Sequence, residues 1–201
     1  IIVVTAVGKV EKGKHIASST AEIGDDLVLT KGAGIEGTYI LANDFYELLK
    51  NKGIKEDILD EAQKYQEKLS VLKEGRIAAE NGAKAMHDVT EGGLYGALEE
   101  MTEASGFAFE LYKDEVIINK ATEEITKKLS IDPLGLISSG SMLIATDNSE
   151  KLIKELKKAG IDASIIAKVK EGKNYIIDST GNKEIFKYKE KDELWKFLEN
   201  N

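Results

Sequence analysis

The segment Ala83-Lys84-Ala85-Met86-His87-Asp88-Val89-Thr90-Glu91-Gly92-Gly93-Leu94, continuing through Tyr95 to Met101, decides how the chain is read. It has the form of a short buried strand, a polar glycine-bearing turn and a helix. Leu94, Ala97, Leu98 and Met101 share one stripe at the 3.6-residue helical period. Gly106 stands where such a helix would stop. Asp88, Thr90, Gly92 and Gly93 therefore fall where a strand hands over to a helix N-terminus. That junction offers unpaired N–H groups and the positive end of a helix dipole. Paired glycines let an anion approach the backbone closely. The same pattern fits a helix capped by Thr90 whose glycines serve packing alone, and the residue types leave both readings open.

The chain has 201 residues, 42% of them hydrophobic, enough to bury a core of its own. Its net charge of −8 and the lack of a basic stripe exclude a nucleic-acid surface. With no cysteine it has no disulfide, thiolate catalyst or cysteine-based metal site. No apolar run approaches ~18 residues, so no membrane span is expected. The opening Ile1-Ile2-Val3-Val4 lacks the charged start of a signal peptide. A chain that starts inside a β-rich run reads as cut from something longer, and a cytoplasmic location is expected.

Outward from the opening segment, strands and helices alternate. Ile1 to Val7 is β-branched and apolar and predicts a strand. Gly8 to Lys14 is a charged connector, and Ile23-Gly24-Asp25-Asp26 a turn. Leu27-Val28-Leu29-Thr30 predicts a buried strand, followed by a glycine loop over Lys31–Thr38 and a helix opening at Tyr39. Further helices are expected from Asn43 or Asp44 through Leu49, over Lys55–Leu69, Leu72–Asn81, Thr122–Leu129 and, capped by Asn148 or Ser149, up to Gly160. Strands are expected at Phe107–Leu111, Met142–Ala145 and Ala163–Val169, with a shorter extended piece at Glu115–Ile118. Tyr175–Asp178 and Ile185–Tyr188 flank a Ser-Thr-Gly-Asn turn as a hairpin. Asp192–Leu198 predicts a terminal helix that turns Leu194, Trp195 and Leu198 inward. Alternation with a terminal hairpin gives an α+β class, a mixed sheet between helical layers.

Of the two histidines, His15 and His87, the second adjoins the glycine turn and Asp88. A locally hydrogen-bonded structural histidine is the competing reading. Asp25-Asp26 has oxygen ligands that suit Mg²⁺, although paired acids at a turn are more often turn-formers. Lys/Glu runs at 55–74 and 150–158 read as solvated helix faces. Ser138-Ser139-Gly140-Ser141 is a third small-residue loop, placed directly before a strand. The loops at 32–38, 88–93 and 138–141 each adjoin a strand end and are expected to share one side of the sheet.

Three motifs, in order, resemble the C-terminal domains of the aminoimidazole ribonucleotide (AIR) synthetase superfamily. Asp88-Val89-Thr90-Glu91-Gly92-Gly93-Leu94 resembles its D-x-T-x-G-G-L signature. Gly24-Asp25-Asp26-Leu27-Val28 with Gly34-Ile35-Glu36-Gly37-Thr38 resembles its opening, and Asp132-Pro133-Leu134 with Ser139-Gly140-Ser141-Met142-Leu143-Ile144-Ala145 its later element. The resemblance spans about residues 1–190 and implies partial ferredoxin-like topology. It implies residues 1–10 as the last strand or connector of an absent N-terminal ATP-binding domain, and 11–201 as the C-terminal domain. It implies ATP-dependent chemistry on a small-molecule or nucleotide substrate, with ATP and Mg held mainly by the absent domain. A homodimer in the full-length protein and a maturation-partner protein are also implied. The motifs come nearest to HypE-type hydrogenase-maturation proteins, with a scaffold domain or a small-molecule kinase branch as alternatives. HypE-type proteins end in a cysteine; this chain ends Leu198-Glu199-Asn200-Asn201, and Ser139 stands where many carry glutamate. The candidate catalytic groups are Asp88 and His87. The candidate substrate or phosphate contacts are Gly34, Glu36, Gly37, Thr38, Thr90, Glu91, Gly92, Gly93, Ser139, Gly140 and Ser141, and no metal ligand is assigned.

Overall fold

A computed structural model describes residues 3–5, 7–188 and 191–199. The strands β1 (Asp26–Thr30), β2 (Ala85–Asp88), β3 (Ala108–Tyr112), β4 (Met142–Thr146), β5 (Ala163–Lys170), β6 (Tyr175–Ile177) and β7 (Lys183–Ile185) form one sheet in the order β2-β4-β1-β5-β3-β6-β7. Among the described residues only β3 and β6 pair in parallel; every other neighbour is antiparallel. The helices are α1 (Ile35–Asp44), α2 (Tyr46–Asn51), α3 (Glu56–Gln63), α4 (Leu72–Glu80), α5 (Gly93–Ser105), α6 (Lys120–Leu129), α7 (Ser149–Lys158) and α8 (Glu193–Glu199). This is the expected α+β class with a mixed sheet between helical layers. Among the described residues no helix is long and apolar enough to cross a membrane.

The two-residue period of a strand sorts the core. Leu27 and Leu29 of β1 face α5 with Leu143 and Ala145 of β4, where Leu94, Ala97, Leu98 and Met101 complete the cluster. Val28 of β1 faces the other way with Met142 and Ile144, against Ala78 of α4 and Leu152 and Leu156 of α7. β4 is therefore buried on both faces. A third cluster lies among α1, α3, α6 and α8, with Ile35, Leu41, Leu59, Ile125 and Phe197.

Several local expectations are corrected. Val3–Thr5 and Val7 belong to no strand and are exposed, because within the described residues no sheet edge pairs with them; Ile1, Ile2 and Ala6 lie outside the described residues. α1 begins at Ile35, ahead of the expected Tyr39, so Glu36, Gly37 and Thr38 form its first turn. Gly34, at φ 71°, turns the chain into that helix, and Thr38 donates to the Gly34 carbonyl through both its N–H and its hydroxyl. The helix predicted over Lys55–Leu69 narrows after Gln63 to a 3-10 turn, Lys64–Lys68. Glu115–Ile118 joins no ladder; a 3-10 turn occupies Lys113–Glu115. In α8 the inward residues are Leu194 and Phe197, whereas Trp195 and Leu198 are exposed. The three-residue spacing of Leu194 and Phe197 sets that face, and Phe197 meets Phe45 edge-on at 5.1 Å.

Leu98 is fully buried between α5 and the sheet. Leu98→Ala should cost about 2–5 kcal/mol through lost transfer energy and a residual cavity, read as a lower urea midpoint at unchanged slope.

Candidate functional site at the glycine-loop end

β1 and β2 both run antiparallel to β4, which lies between them. Their C-terminal ends and the start of β4 must therefore share one end of the sheet: Leu29 pairs with Leu143, and Asp88 with Met142. This gathers the β1–α1 loop, the β2–α5 turn and the segment Asp132–Ser141.

Two buried serines tie them together. The Ile35 N–H donates to Ser138 Oγ at 3.1 Å, Ser138 Oγ lies 2.9 Å from Ser141 Oγ, and Ser141 Oγ donates to the Gly32 carbonyl at 2.5 Å. Val89 N–H donates to the Ser141 carbonyl at 3.1 Å and Gly37 N–H to the Ile137 carbonyl at 2.9 Å. Ser138, the residue through which α1 and β4 meet, is absent from the candidate set. Its only sequence signal is membership of a small-residue loop before a strand.

Glycine is required here for close packing of the 133–137 segment. A Cβ on Gly37 would sit 2.4 Å from Leu136 Cγ, and a Cβ on Gly93 2.6 Å from the Leu136 carbonyl oxygen. Gly92, at φ 82°, ends the turn, and a Cβ there would lie 2.5 Å from the Tyr188 hydroxyl.

The anion at the N-terminus of α5 belongs to the chain itself. Asp192, 1% exposed, accepts the Gly92 N–H at 2.6 Å and the Leu194 N–H at 2.8 Å. Burial raises its pKa above the ordinary carboxylate value, opposed by the N–H donors of Leu194, Gly92 and Ile137. Thr90 is exposed and does not cap α5 with its side chain; its carbonyl accepts from Gly93 and Ser138. Asp132 caps Pro133–Gly135 by accepting from Leu134 N–H at 3.1 Å, and Tyr95 Oη lies 3.3 Å from its other oxygen.

A buried ion pair flanks the loops. Lys31 has a positive φ of 60°, and its Nζ reaches Glu74 Oε1 at 2.7 Å and the carbonyls of Lys68 and Ser70 at 2.7 and 2.9 Å. The two side chains are 13% and 3% exposed. Glu74 thus departs from the solvated-face reading of the 55–74 run, because Lys31 draws it inward. Gly140 packs on this segment, its Cβ position 2.6 Å from the Lys68 carbonyl oxygen.

The remaining candidates separate by exposure. Asp88, Thr90 and Glu91 are exposed and Ser139 is half-buried, whereas Gly92, Gly93, Gly140 and Ser141 are buried. Glu91 accepts the Trp195 indole N–H at 2.7 Å, and half-buried Glu36 keeps one carboxylate oxygen buried without a hydrogen bond. His87 and Asp88 point to opposite faces of the sheet, as successive strand residues do. Asp25 is bonded to Lys84 and the Glu22 N–H, and Asp26 to Lys168 and Ser149. Among the described residues no group of three or more His, Cys, Asp or Glu is placed to hold a metal ion.

A mixed, largely antiparallel sheet with helices on both faces and glycine-bearing strand–helix junctions at one end defines the class. The chain belongs to the family "AIR synthase related protein, C-terminal domain", whose pattern matches residues 22–179. A Methanocaldococcus jannaschii protein named for hydrogenase expression/formation is 31% identical over 186 residues, covering 89% of this chain and 52% of that protein. Selenide, water dikinase of Campylobacter jejuni is 31% identical over 193 residues, covering 82% and 53%. In structure the chain resembles E. coli HypE, at a TM-score of 0.74 and 20% identity over 91% of this chain and 55% of that one. It also resembles a hydrogenase maturation protein HypE solved in complex with ATP, at a TM-score of 0.63 and 18% identity over 89% and 55%. The chain spans about half the length of the curated relatives it matches.

Several of the N–H groups at these helix starts are already engaged within the chain. The N–H groups of Ile35, Gly37, Gly92 and Gly93 are taken by Ser138, Ile137, Asp192 and Thr90. Asp192→Ala should cost about 1–2 kcal/mol, since two helix starts lose their acceptor, and thermal unfolding should show a matching fall in Tm.

Proposed function

We propose that this chain is the C-terminal half of an ATP-dependent, HypE-like enzyme and presents its glycine-loop end to the substrate. The single observation behind this reading is the gathering of three family motifs at one end of the sheet, with Asp88, Thr90, Glu91 and Ser139 left toward solvent. In this reading the buried glycines hold the loops, and the exposed side chains make the substrate contacts. Asp88 is the acceptor we assign to the substrate: it is exposed, whereas the other exposed acid of the turn, Glu91 three residues on, is held by Trp195.

ATP and Mg²⁺ belong mainly to a preceding half of the protein, with residues 1–10 as its last strand or connector. Support comes from the chain's coverage of about half of its relatives and from exposed Val3, Val4, Val7 and Val10. A homodimer and a maturation-partner protein are part of the same proposal.

Two experiments test it. In the full-length protein, Asp88→Asn should lower turnover at least about tenfold while Tm stays within about 2 °C, because only charge and one acceptor change at an exposed site. Unchanged turnover in the folded variant removes Asp88 from the site. Calorimetry on this chain alone should show Mg-ATP binding no tighter than the millimolar range, about −4 kcal/mol. Tight, magnesium-dependent binding would place the nucleotide site in this half instead.

A further inference from the structure

On the face of β2 away from Asp88, His87 joins two residues that the glycine-loop end does not use. Its Nδ1 lies 2.7 Å from Ser18 Oγ, and its Nε2 lies 2.6 Å from Glu100 Oε2. The three come from different elements: Ser18 from a 3-10 turn, Ser18–Thr20, His87 from β2, and Glu100 from α5. We propose that Ser18, His87 and Glu100 form a nucleophile–base–acid triad, a second reactive centre able to take an acyl group from a small activated ester.

The hydrogen-bond polarity fits that role. An ionised Glu100 can only accept, so Nε2 carries the proton and Nδ1 is left as the acceptor for the Ser18 hydroxyl. Triads are defined by geometry and role, so either ring nitrogen can serve the nucleophile. Ser18 Oγ also donates to the Met86 carbonyl at 3.2 Å, so the hydroxyl has two acceptors within reach, and in the reactive arrangement it turns to the shorter contact with His87 Nδ1. The nucleophile is held in place: Thr20 Oγ1 donates to the Lys84 carbonyl at 2.5 Å and accepts from Ala17 N–H at 3.3 Å, fastening the turn to β2. His87 is 18% exposed and Glu100 58% at the side chain, and Ser18 is half-buried, so the cluster lies at the surface. The turn closes through the Thr20 N–H to the Ala17 carbonyl at 3.2 Å.

In the step, Ser18 Oγ bonds to the ester carbonyl carbon as its proton passes to His87 Nδ1, and the carbonyl π pair moves to oxygen. Collapse breaks the bond to the leaving alkoxide, which takes the proton from Nδ1. Water then repeats the sequence on the acyl-serine, releasing the acid and restoring Ser18. No nucleotide takes part, so the proposal stands or falls independently of the ATP-dependent reading.

The test is labelling of this chain with a fluorophosphonate probe, the site being located by peptide mass spectrometry and the rate followed with time. Ser18 should be labelled, Ser18→Ala should abolish that label, and His87→Gln should slow it about 10²-fold. Glu100→Gln changes an exposed side chain and leaves the fold testable. It should slow labelling at least about tenfold with Tm unchanged, and Glu100→Asp should recover part of the rate. Absence of label at Ser18, or a rate indifferent to Glu100→Gln in the folded variant, would overturn the triad and leave these contacts as a tie between the turn, β2 and α5.

Discussion

The antiparallel insertion of β4 between β1 and β2 is the constraint on which the rest depends. It fixes which strand ends lie together, and so which loops can touch. Because β4 is buried on both faces, a register slip by one residue would exchange Leu143 and Ile144 between two differently shaped cores. The loop contacts inherit that certainty. Ser138 and Ser141 are brought to Ile35 and Gly32 by the pairing of β1 with β4, in which Leu143 sits opposite Leu29.

That end of the sheet is polar and buried, and its backbone groups are largely taken up within the chain, while Glu36 and Glu74 each keep one buried carboxylate oxygen without a hydrogen bond. Ser138, Ser141 and Asp192 take up backbone N–H or carbonyl groups that three helix starts and the β1–α1 loop would otherwise leave unpaired. Each such bond is worth about 0.5–1.5 kcal/mol net, and leaving a buried group unpaired costs about 1–3 kcal/mol. The penalty exceeds the gain, so the arrangement selects one conformation of the loops. The glycines belong to the same economy of space: they let the 133–137 backbone lie against α1 and α5. What remains accessible is side chain, chiefly Asp88, Thr90, Glu91 and Ser139.

Much of this was legible in the sequence where the signal is local and periodic. Leu94, Ala97, Leu98 and Met101 placed α5 and its inward face, and Leu152 and Leu156 did so for α7. Gly106, at φ 75°, ended α5 as expected. The gathering of the three loops was also foreseeable, since each adjoins a strand end. Long-range partners were not. Nothing in the run Lys191-Asp192-Glu193 distinguishes the carboxylate that meets Gly92 from its neighbours, and Glu74 looks like any other acid of a Lys/Glu run until Lys31 is beside it. The inward face of α8 was misjudged because a seven-residue helix carries too few turns for its period to separate Trp195 from Phe197. The first valines resembled a strand because β propensity describes a side chain's fit to a pleated surface, and no such surface of the described chain meets them.

The proposal that recognition falls to the side chains around the glycine loops rests on the N–H groups of Ile35, Gly37 and Gly92 being engaged within the chain. Amide hydrogen exchange by NMR on this chain without ligand measures it directly. Ile35, Gly37 and Gly92 should exchange as slowly as the core strands, because Ser138, Ile137 and Asp192 hold their protons. Exchange at the rate of an unstructured peptide, with protection appearing only when inorganic phosphate or Mg-ATP is added, would contradict the account and return these glycines to the role of phosphate ligands.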